Sequence, residues 1–130
     1  MKFGYTIVYV SSVADALTFY KDAFDFETRF LHESGQYGEL NTGETVLAFA
    51  SHAMGEMNLD GQYQKNDLNA MPFGVELAFV TDDVASSYAK AVAAGAVSIK
   101  EPTTKPWGQV VAYVRSKEGT LIELCSPVGG

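Results

Sequence analysis

The spacing of apolar and polar positions changes period several times along the chain, and the changes come in the same order twice. Tyr5-Thr6-Ile7-Val8-Tyr9-Val10 is β-branched and aromatic throughout, the make-up of an extended strand. It passes through Ser11-Ser12 into a stretch where Val13, Leu17, Tyr20 and Phe24 recur with the stripe of an amphipathic helix. Val75-Glu76-Leu77-Ala78-Phe79-Val80 repeats the strand, Thr81-Asp82-Asp83 repeats the passage, and Val84, Tyr88, Ala91 or Val92 and Gly95 repeat the stripe. Ser12 and Asp83 stand where a side-chain oxygen caps the first free amides, and Gly95 where a helix ends in a left-handed residue. After each helix the period falls to two, over Phe26 to Leu31 and over Val97-Ser98-Ile99. Each half then closes on a pair of strands. The final ones, Thr45 to Ser51 and Thr120 to Ser126, follow the turns Thr42-Gly43-Glu44 and Lys117-Glu118-Gly119.

The order strand, helix, strand, strand, strand thus occurs twice, which predicts an α+β chain of two βαβββ modules, residues 1–51 and 73–128. Residues 52–72 carry Gly, Asn, Asp and Gln without periodicity and read as a linker able to cover part of a cleft. Two strand-helix units of similar pattern also arise without duplication, and that alternative stays open.

A helix covers one face of each sheet, so alternate strand residues point to it and the others away. Val75, Leu77, Phe79, Ile122 and Leu124 suit the helix side, which leaves Glu76, Ala78, Val80, Leu121, Glu123 and Cys125 on the opposite face. The same parity in the first half puts Tyr5, Ile7, Tyr9, Val46, Ala48, Ala50 and His52 there. Glu76 and Glu123 are the informative pair, because a carboxylate in the middle of an apolar strand needs a cation or hydrogen-bond donors. A solvated open face is the bland reading, while the surrounding Ala78, Val80, Leu121, Ile7 and Val46 suit a ligand pocket with few polar points. Arg115 and Arg29 are candidates to neutralise the glutamates, which would make the pair structural.

Composition narrows the function classes. The chain has 130 residues, 47% of them hydrophobic, enough for one folded domain. A net charge of -7 disfavours nucleic acid and anionic lipid as partners and favours cationic small molecules. The single Cys125 cannot form an internal disulfide, and no leader-like segment or membrane-length apolar run is present, so a cytoplasmic location is expected. Cys125 reads as a small buried residue and His32 as a surface one. No Ser-His-Asp order, phosphate loop or CxxC pair stands at useful spacing.

The stretches Tyr5 to Tyr20, with the helix end FYKDAFDF, and Val75 to Pro127, with FVTDDVASSYAKAVAAGA and KPWGQVVAYVRSKEGTLIELCSP, make the chain resemble the vicinal oxygen chelate superfamily of glyoxalases, bleomycin-resistance proteins and extradiol dioxygenases. That resemblance implies cupped mixed sheets with helices on the outer face, and in metal-dependent members four ligands from the first and last strands of each module. Those positions fall on Tyr5, Ala48, Glu76 and Glu123 in this sequence. Glu76 and Glu123 suit a divalent metal, with His52 as a candidate third donor, while Ala48 has no donor and a neutral phenol at Tyr5 is a poor one. The metal-free, ligand-sequestering branch is therefore the closer likeness. It implies a small, cationic organic molecule held in a cup between the modules by Glu76 and Glu123, with Tyr5, Ile7, Tyr9, Ala48 and Trp107 in contact and Phe49 as a weaker candidate. A divalent-metal-dependent lyase or dioxygenase is the alternative, and a protein-binding sheet face a third. Trp107-Gly108-Gln109, read as the start of the seventh strand after a loop from Pro102 to Pro106, serves as a rim or packs on its own domain's edge. Chains of this size in that superfamily pair as dimers, so a two-fold homodimer is expected.

Overall fold

A computed structural model describes residues 1–128. Its order is β1 (Tyr5–Val10), α1 (Val13–Phe24), β2 (Thr28–Leu31), β3 (Tyr37–Leu40), β4 (Val46–Ser51), α2 (His52–Leu59), β5 (Glu76–Val80), α3 (Val84–Ala93), β6 (Val97–Thr104), β7 (Val110–Arg115) and β8 (Leu121–Cys125). The chain divides into two compact units, Met1–Lys65 and from Asn66 onward.

In the first unit β1 lies parallel to β4, and β3 and β2 follow antiparallel, giving the order β1-β4-β3-β2. α1 begins where the Ser12 hydroxyl accepts the Asp15 amide at 3.2 Å, and ends at Asp25, whose left-handed φ of 64° lets its amide reach Lys21 O at 2.9 Å. Its stripe Val13, Leu17 and Tyr20 is buried, with Tyr20 4.8 Å from the ring of Phe49. Phe49, 0% exposed, therefore belongs to the helix side of the sheet. α1 also comes down on β3 so closely that a Cβ on Gly38 would stand 2.8 Å from Leu17 Cδ1 and 3.1 Å from Val13 Cγ1.

The second unit repeats the plan, with the order β5-β8-β7-β6 and β5 parallel to β8. Asp83 caps α3 by accepting the Ser86 amide at 3.0 Å. The helix ends in a left-handed Gly95 (φ 111°), with Gly95 N–H donating to Val92 O and Ala96 N–H to Ala91 O, both at 3.0 Å. The register shows the repeat directly: Tyr5 pairs with Val46 and Ile7 with Ala48, as Glu76 pairs with Leu121 and Ala78 with Glu123. Two βαβββ modules are thus present.

The structure corrects several boundaries. The segment expected to be a bare linker opens with α2, which carries no apolar stripe and so left no periodic trace. It is held by a Ser51 hydroxyl accepting the Met54 amide at 3.2 Å and by a buried Gly55 on which Tyr63 packs. β6 runs through Pro102 to Thr104, where a loop was expected. As an edge strand with register shifts on both sides of Lys100 it tolerates a residue without an N–H. Trp107 and Gly108 lie in the turn before β7, and Val75, expected on the helix side, precedes β5 and is 71% exposed. Among the described residues no helix is long and apolar enough to cross a membrane.

The tight fit of α1 on β3 is testable. Gly38→Val should cost about 1–3 kcal/mol in urea unfolding by overpacking against Leu17 and Val13. Gly4→Val, where no atom lies within 4 Å of the added carbon, should change little. Equal stabilities would refute the contact.

Candidate functional site

β8 has Glu123 between Ala78 of β5 and Tyr113 of β7, directly paired with both. Paired residues share a face, so Ala78, Glu123 and Tyr113 form one row. Glu76, Leu121 and Arg115 form the next, and Val80, Cys125 and Val111 the one on the other side. Because Ile122, Leu124, Ala112 and Val114 on the alternate positions are the buried helix-side residues, all three rows belong to the opposite, open face.

Glu123 is a common acceptor there. The Glu76 carboxyl, the Tyr113 phenol and the Cys125 thiol all hydrogen-bond it, and each holds its proton to a higher pH than usual. Partial desolvation is the largest cause in every case, followed by the hydrogen bond to Glu123 and then by its charge. Tyr113 is pushed up to about 12 and Cys125 to about 11, while Glu76 rises above the ordinary 4.5. Lys105 Nζ lies over the Tyr113 ring, 6.0 Å from its centroid. Among the described residues neither glutamate forms an ion pair. Arg115, a candidate to neutralise them, spends its donors on backbone carbonyls, and Arg29 pairs with Glu39 instead.

The first unit carries a carboxylate that the sequence reading passed over. Glu39 on β3 pairs across to Ala48, so it shares the face of Ala48, Ile7 and Tyr5. It is 7% exposed, accepts the Tyr37 hydroxyl at 2.7 Å and has Arg29 Nε at 3.7 Å. Burial, then this hydrogen bond and the charge of Glu39, raise the Tyr37 phenol. The signal was an acidic residue in a four-residue strand, too short for a period of two to show. On the same face Tyr5 and Ile7 are 57% and 46% exposed, while Ala48 is wholly buried. Tyr9 is occupied: its ring lies 4.9 Å from that of Tyr63, and Asn58 Nδ2 donates to its hydroxyl at 3.4 Å. His52 Nδ1 is in hydrogen-bond contact with the Tyr63 hydroxyl at 2.7 Å. Trp107 is 63% exposed, its indole N–H held by Gln109 Oε1 at 2.9 Å. His32 stays a local surface residue, bonded to Ser34.

The metal set implied by the resemblance does not fit these side chains. Ala48 has no donor atom, Tyr5 offers a phenol, and that leaves Glu76 and Glu123 as the only carboxylates of the set. Among the described residues no three of His, Cys, Asp and Glu gather into a group able to hold a metal ion, and His52 engages Tyr63.

The profile of the Glyoxalase/Bleomycin resistance protein/Dioxygenase superfamily matches residues 2–124, and the chain belongs to that superfamily. It is similar to a glyoxalase/bleomycin resistance protein/dioxygenase family enzyme from Burkholderia phytofirmans PsJN (22% identity, 97% of this chain and 98% of that one, TM-score 0.83). A glyoxalase-related enzyme from Fulvimarina pelagi is comparable (17%, 98% and 88%, 0.82), as is a superfamily member from Sphaerobacter thermophilus DSM 20745 (21%, 98% and 98%, 0.71). At these identities the likeness is one of fold. Among curated proteins none matches the sequence.

The Cys125 environment gives a direct test. With its thiol at about 11 against an ordinary 9.0, alkylation by iodoacetamide at about pH 8 should be roughly a hundredfold slower in the native protein than in the unfolded chain. Glu123→Gln should accelerate it. A native rate equal to the unfolded one would remove Cys125 from the cluster.

Proposed function

We propose that the protein binds a small cationic organic molecule on the open face of its second unit, with Glu76 and Glu123 as the anionic contacts. The observation that carries this reading is a pair of neighbouring carboxyls on the open face, Glu76 raised above its ordinary range by desolvation and by Glu123, with neither in an ion pair among the described residues. A ligand ammonium supplies both the positive charge and the N–H donors that the pair lacks, and takes the place of the Glu76 proton. Ala78, Val80 and Leu121 surround the pair with apolar surface, and Tyr113 and the exposed Trp107 belong to the same unit. Tyr5, Ile7, Tyr9 and Ala48 give the open face of the first unit an aromatic and apolar lining suited to ligand contact of the same kind.

The sign of the pH dependence follows from Glu76. Its folded midpoint is raised, so its contribution favours the folded state below the ordinary 4.5 and is lost as pH rises through the raised value. Cation binding runs the other way, because the ligand competes with that proton. Calorimetry with benzylammonium should show tighter binding at about pH 8 than at about pH 5, with proton release on binding at the lower pH. Glu76→Gln should weaken binding by about tenfold and leave thermal stability at neutral pH unchanged or higher. Binding independent of both pH and Glu76 would sink the assignment, as would a stoichiometric divalent metal whose removal abolishes ligand uptake.

We also propose a two-fold homodimer. β1 and β5 are edge strands, and Tyr5 and Ile7 on one, with Phe3 just before it, and Val80 on the other are exposed, large apolar side chains that an isologous contact would cover. Light scattering at micromolar concentration should return twice the chain mass of 14.1 kDa. A monomeric mass refutes it.

A further inference from the structure

Arg115 lies one row along the open face from Glu123. With Tyr113 paired to Glu123 and Arg115 to Leu121, Arg115 is the diagonal neighbour of Glu123, and Leu121 on its other side pairs with Glu76. Diagonal partners stand about 7–8 Å apart, within reach of an arginine. A guanidinium beside two carboxyls without a counter-ion would form charge-assisted bonds to them if nothing else held it. It makes none. Nε donates to Gly119 O at 3.0 Å, Nη1 to Ala70 O at 2.8 Å and Leu68 O at 3.4 Å, and Nη2 to Asp67 O at 3.0 Å. The residue is 7% exposed.

The carbonyls that hold it are presented by a turn. Asn69 N–H donates to Asp67 Oδ1 at 2.9 Å and Ala70 N–H to Asp67 O at 3.0 Å, which turns the peptide oxygens of residues 67, 68 and 70 toward the guanidinium. Gly119 is the matching surface on the other side. Its φ of 106° is left-handed, and a Cβ there would stand 2.8 Å from Arg115 Nη2, 3.1 Å from the Asp67 carbonyl carbon and 3.2 Å from Leu68 N. A residue with a side chain would push the turn and the guanidinium apart.

We propose that the turn at residues 67–70 and Gly119 form a clamp that holds Arg115 away from the carboxyl pair and so keeps Glu76 and Glu123 open to a cationic ligand. Arg115 is then a positioning residue and the turn a determinant of specificity. The proposal rests on the cation-binding reading for its purpose, but the clamp itself does not. When the clamp opens, the guanidinium swings onto Glu123 and the site neutralises itself.

The test follows the Glu76 carboxyl carbon by NMR through a pH titration, together with benzylammonium affinity. The groups facing Glu76 are Glu123, Tyr113 and Cys125, with Lys105 over the Tyr113 ring. Gly119→Ala should open the clamp, lower the Glu76 midpoint and weaken benzylammonium binding about tenfold. Adding Arg115→Met to that variant should restore both, a rescue that a merely structural role for the clamp would not give. If Gly119→Ala does not fold, Arg115→Lys and Arg115→Met supply the same contrast. Both lose the four-carbonyl fork and only lysine keeps a cation, so the midpoint should fall in the lysine variant alone. An unchanged midpoint in Gly119→Ala while the amides of 67–70 exchange faster overturns the proposal, as does identical titration of the lysine and methionine variants. A shifted midpoint in Gly119→Ala with no benzylammonium binding by the unaltered protein supports the clamp and overturns the cation reading.

Discussion

A parallel strand pair cannot be closed by a tight turn, so the chain between β1 and β4, and again between β5 and β8, has to leave the sheet and return. In both units it returns by way of a helix and two further strands, and the helix occupies one face. That decides the rest. Once α1 and α3 cover a face, the pleat assigns every alternate residue of four strands to the other one, and the register Ile7 to Ala48 or Ala78 to Glu123 sets who stands beside whom. A slip of one residue in β8 would bring Ile122 and Leu124 out and turn Glu123 toward α3, where a charge would have no partner. The acid cluster is therefore a product of register before it is a product of its own hydrogen bonds.

This explains which parts of the molecule were legible in the chain. Strands of five or six residues rich in β-branched, aromatic or aliphatic side chains, such as Tyr5–Val10 and Leu121–Cys125, and helices with a repeating stripe and a capping residue, such as Val13–Phe24 behind Ser12, announce themselves. The faces of Glu76 and Glu123 followed from the alternation of the pleat. α2 was hidden because one buried glycine and a neighbouring tyrosine replace the usual apolar stripe. β3 was expected as the first of the closing pair but could not be placed, because four residues are too few to show a period, and Glu39 and Tyr37 went unnoticed with it. β6 was cut short by Pro102, a residue that ends central strands but not edge ones. Tertiary partners, not local propensity, decide all three.

Arg115 shows the same limit in another form. Its place on the open face could be counted from the strand, and its charge suggested a partner for the glutamates. What it bonds instead are carbonyls some 45 to 48 residues away in sequence, presented by a turn with no regular secondary structure. No period or spacing reports such a contact.

The two units also show how one scaffold separates charge that is satisfied from charge that is not. Each open face has a glutamate bonded by a tyrosine hydroxyl, yet the carboxylate has moved from β3 in the first unit to β8 in the second. Glu39 is buried, with Tyr37 on one oxygen and the Arg29 cation near the other, so its charge is answered within its own sheet. Glu123 has Tyr113 across the strand, but the arginine on its face is held elsewhere and a second glutamate, Glu76, stands beside it. A carboxyl pair that can relieve its repulsion only by binding a proton opposes folding as pH rises, so it weakens the fold at neutral pH. Replacing either residue by an uncharged one would remove that penalty without disturbing the sheet. Stability therefore gives no reason for the second unit to carry the pair, and the proposed cation binding supplies one.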